Sequence, residues 1–189
     1  MNILIISGSV RTGRRSHDVS VALQKHFQAH GYTSTHIIDL ATYNLPVLEE
    51  QYDENPHKVK GLDDIQQKLD RADAMIFLSP EYHGSYSGAL KNAVDYFSSE
   101  FKRKPIGVVS VGSGRLGGIN ASTEMQRLVL SLSAYPMPYK LLVSNVQNAF
   151  DEKGGLIDQA LSKSMDKFVT EFIWLAEAIM DKKKKDTHG

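Results

Sequence analysis

The sequence predicts a doubly wound α/β three-layer sandwich, in which a five-stranded parallel sheet carries helices on both faces. Three observations predict it. Four runs are almost continuously apolar and rich in branched residues, the pattern of strands buried on both faces. These runs alternate with stretches of helical periodicity, which imposes right-handed crossovers and a parallel sheet. No linker or internal repeat divides the 189 residues, whose 41% hydrophobic content suits one sizeable core.

In chain order, residues 2–7 form the first strand and residues 16–30 the helix that follows. Residues 32–40 alternate in polarity and read as an edge strand. The polar stretch 46–61, PVLEEQYDENPHKVKG, is a long loop expected to cap a pocket or build a subunit contact. A helix over 62–72 leads to a buried strand at 75–79, and a helix over 88–99 to another at 105–112. Residues 117–134 are helical and 140–146 supply the fifth strand. The last helix spans 157–182, with Ile157, Leu161, Met165, Phe168, Phe172, Leu175 and Ile179 on one face. Residues 1–182 thus make one domain, followed by a basic tail at 183–189. Lysines at its start favour the negative end of the helix dipole, which explains them without nucleic acid.

Lysine plus arginine equal aspartate plus glutamate at 22 each, so no global field favours nucleic acid, a membrane surface or a strongly charged partner. The absence of cysteine excludes disulfides, thiolate nucleophiles and cysteine metal sites. No apolar run approaches the roughly 18 residues that span a bilayer, and none resembles a signal segment, so a cytoplasmic protein is expected. His26 and His30 have the spacing of a helical metal pair, but no glutamate follows His26, and the pair reads as a solvated face with no metal site. The run Gly84-Ser85-Tyr86-Ser87-Gly88 has tyrosine where a nucleophile elbow needs serine, so no hydrolase is expected.

Parallel sheets of this kind bind ligands outside the carboxyl ends of their strands, where the strand order reverses. The loop after the first strand, residues 7–17, offers hydroxyls, three arginines and the N–H groups of a helix start, which together make an anion cradle. The alternative is an ordinary turn with Ser16 as N-cap. Gly8 and Gly13 have the P-loop interval, but Arg14, Arg15 and Ser16 follow where lysine is required. Val10 stands where a dinucleotide fingerprint needs its middle glycine. A terminal phosphomonoester, surrounded by hydroxyls and N–H groups, fits better than a pyrophosphate. The third strand in sequence runs into a loop presenting Tyr82, His83 and Tyr86, suited to a planar ligand. The segment Gly112-Ser113-Gly114-Arg115-Leu116-Gly117-Gly118 matches G-x-G-x-x-G, yet no acidic ribose ligand or βαβ half follows it. Its glycines would bring backbone N–H groups close to a flat ring from the side opposite the tyrosines.

With these loops placed, the sequence resembles the NADPH-dependent FMN reductase family, which has a flavodoxin-like fold and includes quinone, azo-dye and chromate reductases. The marks are GSVRTGRRS at 8–16 and, more specifically, PEYHGSYSGALKNAVDYFS at 80–98. The resemblance implies strand order 2-1-3-4-5, FMN as cofactor, NADPH or NADH as donor, and a homodimer or homotetramer. It implies that Ser9, Val10, Arg11, Ser16 and His17 surround the FMN phosphate. It places Pro80, Glu81, Tyr82, His83 and Gly84 along the ribityl chain and isoalloxazine, with Ser113, Gly114 and Arg115 on the third loop. His17 and His83 stand where the family usually has asparagine, and Ser87 where proline commonly precedes Gly88, so a more mobile loop is expected there.

The resemblance implies no catalytic side chain, because the flavin carries the hydride chemistry. A ping-pong cycle is expected: NAD(P)H reduces FMN and leaves, and a quinone, azo compound, free flavin or metal oxyanion then enters the same pocket. Two other functions compete. A flavodoxin-type electron carrier should gain from an acidic docking surface, which a net charge of zero does not provide. An NAD(P)-binding dehydrogenase would use Gly8–Gly13 for pyrophosphate and Asp39 for ribose.

Overall fold

The computed structural model describes residues 1–52 and 59–187. Strands β1 (Ile3–Ser7), β2 (Thr35–Asp39), β3 (Ala74–Pro80), β4 (Pro105–Val111), β5 (Tyr135–Pro136) and β6 (Leu141–Val143) form one sheet. The order is β2-β1-β3-β4-β5, with β6 also on β4, and every pairing is parallel. The predicted order holds, but the fifth position is filled by two short pieces: the expected strand at 140–146 is cut to β6, and β5 precedes it outside that range. Pro136 and Pro138 remove ladder donors between them, so the chain pairs with the start of β4, leaves it, and returns along Val109–Val111.

Alternation along β1 sorts the two cores. Ile3 and Ile5 face α1 (Ser16–Ala29) and α5 (Gln159–Thr187), whose Leu23, Phe27, Phe168 and Phe172 cover them. Leu4 and Ile6 face the opposite layer, built from α2 (Leu62–Arg71), α3 (Gly88–Asp95) and α4 (Ile119–Ser131). β2 lies at the edge, as its alternating sequence predicts.

α5 departs from expectation at both ends. Ile157 lies before the helix and is 60% exposed, whereas Val169 and Ala176 join the buried face. The helix continues to Thr187, so the lysine run extends it instead of opening a tail. His26 is not on a solvated face either: its Nδ1 lies 2.7 Å from Asp166 of α5 and ties α1 to that helix. His30 turns its ring nitrogen back to the carbonyl of His26, so the two do not make a metal pair.

Residues 53–58 of the long polar loop lie outside the described residues, and with them the expectation that it caps a pocket or builds a contact. Its start is fastened to α3. Asn92 donates to the Pro46 carbonyl and accepts from the Leu48 N–H, and the Tyr96 hydroxyl donates to Pro46 as well. Asn92 therefore serves the fold, although it belongs to the most specific motif in the sequence.

Candidate functional site

The carboxyl ends of β1, β3 and β4 open into a crevice of about 350 Å³. From the first loop, Ser9, Arg11, Thr12 and Ser16 line it; from the second, Pro80, Glu81 and Tyr82; from the third, Gly112 and Ser113. The predicted loops thus converge at the switch point between β1 and β3.

The first loop has the chemistry of an anion site. Ser16 is the first residue of α1, preceded by Arg15 at the cap position, and its hydroxyl does not cap the helix. Ser7 Oγ and Ser16 Oγ are both buried with no hydrogen-bond partner among the described residues. A buried, unsatisfied hydroxyl costs about 1–3 kcal/mol, and that of Ser16 stands at the helix N-terminus in the crevice wall that Arg11 shares. Val10 turns outward, 53% exposed.

Arg14 and Arg15 are committed elsewhere. The Arg14 guanidinium pairs with the Asp39 carboxylate, which also accepts from the Ala41 N–H at 3.2 Å and lies 3.4 Å from His17 Nδ1. Asp39 is therefore spent on the protein, which removes the ribose ligand a dehydrogenase would need. His17 faces this carboxylate. Arg15 donates to Asp18 and to the Asp151 carbonyl, both at 3.1 Å, and clamps the segment after β6 against α1.

The second loop turns on His83 and Gly84, with φ of 50° and 81°. Tyr82 and Ser85 exchange two backbone hydrogen bonds across them, at 2.8 and 3.1 Å. Positive φ at both central residues is the primed hairpin geometry that asparagine-glycine favours, and histidine tolerates it better than most residues. Of the three ring-bearing residues expected here, Tyr82 lines the crevice, with Arg11 5.8 Å above its ring. Tyr86 packs into the α2–α4 layer, where burial pushes its phenol pKa up. The Glu81 carboxylate turns to α4, accepting from the Ala121 N–H at 3.0 Å and from Asn120 at 3.4 Å. Nor is the turn before α3 loosened by Ser87, which is buried and caps that helix.

On the third loop, Gly117 and Gly118 pack against Leu142 and Ser110 and do not line the crevice. Gly114 and Arg115 are exposed outside it. Sequence reasoning missed Val146 and Gln147, which close the crevice side next to Ser113; Gln147 donates to the Ser113 carbonyl at 3.3 Å. They follow the last strand, so the rule that finds the other loops would have found them.

The fold and crevice define a flavodoxin-like α/β protein whose cleft is bordered by a serine- and arginine-bearing loop at a helix N-terminus and by Tyr82. Over residues 1–148 the sequence matches the model of the NADPH-dependent FMN reductase family, and the chain belongs to that family of oxidoreductases. An NADPH azoreductase of Bacillus sp. (strain OY1-2) is 30% identical over 155 residues, covering 82% of this chain and 83% of the relative. An NAD(P)H-dependent FMN reductase of Pseudomonas aeruginosa is 31% identical over 168 residues, covering 84% and 85%. Among solved structures, the flavoenzyme NAD(P)H:(acceptor) oxidoreductase FerB of Paracoccus denitrificans superposes with a TM-score of 0.77. It is 22% identical and covers 94% of this chain and 97% of its own, a likeness of fold.

Proposed function

We propose that the crevice holds FMN and that the protein is an NAD(P)H-dependent reductase of a small-molecule acceptor: a quinone, an azo compound, a free flavin or a metal oxyanion. The observation that carries this reading is the buried, unpartnered hydroxyl of Ser16 at the start of α1, in the crevice wall that it shares with Ser9, Arg11 and Thr12. A phosphomonoester dianion satisfies that donor set. FMN, when bound, supplies the redox chemistry, accepting a hydride from the nicotinamide and passing the electrons on.

The chain's own task is then binding and exposure. Ser9, Arg11, Thr12 and Ser16 hold the phosphate end. Pro80, the Glu81 backbone and Tyr82 border the ring from one side, while Ser113 and Gln147 border it from the other. No side chain in the crevice is required as an acid or base, which suits a pocket that serves donor and acceptor in turn by a ping-pong cycle. Zero net charge offers no acidic docking face for a protein redox partner, which favours a reductase over a carrier. No described helix is long and apolar enough to cross a membrane. We place the reductase in the cytoplasm as a homo-oligomer, in keeping with the family resemblance.

The test is an absorbance spectrum of the FMN-reconstituted protein, followed by anaerobic NADPH and then an acceptor. Flavin bands that bleach with NADPH and return with a quinone or azo dye are the expected result. Bound flavin that stays oxidised would mean a carrier, and a protein that retains no FMN would overturn the reading.

A further inference from the structure

Ser87 stands where proline was expected, and its bonds explain the substitution. The residue is 2% exposed. Its N–H donates to Ser79 Oγ at 2.8 Å, its hydroxyl donates to the Gly8 carbonyl, and the same oxygen accepts from the Leu90 N–H at 3.1 Å. Its φ of −64° and ψ of 143° are dihedrals that proline also adopts, so the backbone does not call for serine. The hydroxyl does something proline cannot: it joins the start of α3 to the loop after β1.

That join falls on one peptide group. The Gly8 N–H donates to the Leu78 carbonyl at 2.8 Å, so with Ser87 on its carbonyl both polar groups of Gly8 are held. The bond to Ser9 is trans, so a carbonyl that faces Ser87 turns the Ser9 N–H the opposite way. Ser9 is 2% exposed and lines the crevice. A Cβ on Gly8 would lie 2.9 Å from both the Leu78 carbonyl oxygen and Leu90 Cβ, which excludes larger residues. Glycine in turn leaves the following peptide freer to rotate than any other residue would.

We propose that Ser87 is a positioning residue whose hydroxyl locks the Gly8–Ser9 peptide, so that the Ser9 N–H is presented to the phosphate of the bound flavin nucleotide. This rests on the reading of the crevice as an FMN site. The lock acts on the phosphate end alone, so it distinguishes FMN from riboflavin, which has the same ring and ribityl chain but no phosphate.

The experiment is a fluorescence titration of the apo-protein with FMN and, separately, with riboflavin, for the wild type, Ser87→Ala and Ser87→Pro. Loss of one hydrogen bond that orients a charged contact should raise the Kd for FMN about fivefold to tenfold and leave riboflavin within about twofold. Ser87→Pro keeps the dihedral but removes the N–H to Ser79 Oγ together with the hydroxyl, so it is read by the ratio of its FMN and riboflavin Kd values, which should shift as in Ser87→Ala and decides the matter if that variant does not fold. Equal weakening of both flavins would make Ser87 a general support and overturn the lock, as would no weakening of FMN. A wild-type protein that binds neither flavin would instead overturn the FMN reading itself.

Discussion

Glu81 is the residue on which the family pattern and the observed geometry part company, and replacing it separates the two. The resemblance places Glu81 along the ring, but its carboxylate accepts the Ala121 N–H at 3.0 Å and the Asn120 side-chain amide at 3.4 Å. It acts as the cap that Gly118, at the cap position of α4, cannot provide. A cap of this type is worth about 0.5–2 kcal/mol, with a further few tenths to about 1 kcal/mol for a carboxylate at the positive end of the helix dipole. Partial exposure discounts both terms, so Glu81→Ala should cost about 1 kcal/mol, or roughly 2–4 °C in Tm for a domain of this size. Glu81→Gln keeps an acceptor and should lose about half as much. Thermal denaturation followed by circular dichroism measures this, with FMN affinity titrated in parallel and expected to change less than about twofold, since the backbone forms the crevice wall. A large loss of FMN affinity at unchanged Tm would show that the carboxylate contacts the ligand and refute the capping argument.

Three further outcomes follow from particular contacts. His83 sits at φ 50° in the hairpin turn, so His83→Asn should raise Tm by a degree or two, while His83→Val should lose about 1–2 kcal/mol; a tolerated valine would disprove the turn geometry. Gly107 leaves room for α5: an added Cβ would lie 2.9 Å from Ile76 Cδ1 and Phe168 Cζ, so Gly107→Ala should overpack that core by about 1–3 kcal/mol, read as a lower urea midpoint. The Tyr32 hydroxyl donates to the Glu177 carboxylate, and that bond, with burial and charge, pushes its pKa up to about 12 from 10.0. The raised value means that the stability Tyr32 contributes is fully present below pH 10.0 and disappears as pH rises through about 12. Tyr32→Phe should therefore delete a component of the tyrosinate absorbance that titrates at about 12, and deletion of an ordinary component near 10.0 would contradict the pairing.

Much of the fold was legible because it rests on periodicity. Branched runs became β1, β3 and β4, and the apolar face of α5 covers them much as its spacing indicates. The broken last strand was not legible, since its prolines act through pairing partners that a run of apolar residues does not reveal. At the site, the three loops could be found from the rule that ligands gather at carboxyl ends of strands. The direction of each side chain could not. Arg14, Arg15 and Glu81 all sit in those loops, yet each spends its charge on a protein group distant in sequence: Asp39, the Asp151 carbonyl and the start of α4.

The departures from the family pattern follow the same logic. A substitution can look like a loss when only the replaced residue's property is considered, asparagine's amide at position 83 or proline's stiffness at position 87. What each position requires is a backbone state, left-handed at His83 and extended at Ser87, and the residue present meets that requirement. Histidine does so through its tolerance of the left-handed region. Serine does so while adding the N-cap and the hydroxyl to Gly8. The expected loosening of the loop before α3 therefore becomes a tie between two walls of the crevice. Stiffness supplied by a hydrogen bond, unlike that of a proline ring, reaches a second segment and can act on the ligand held there.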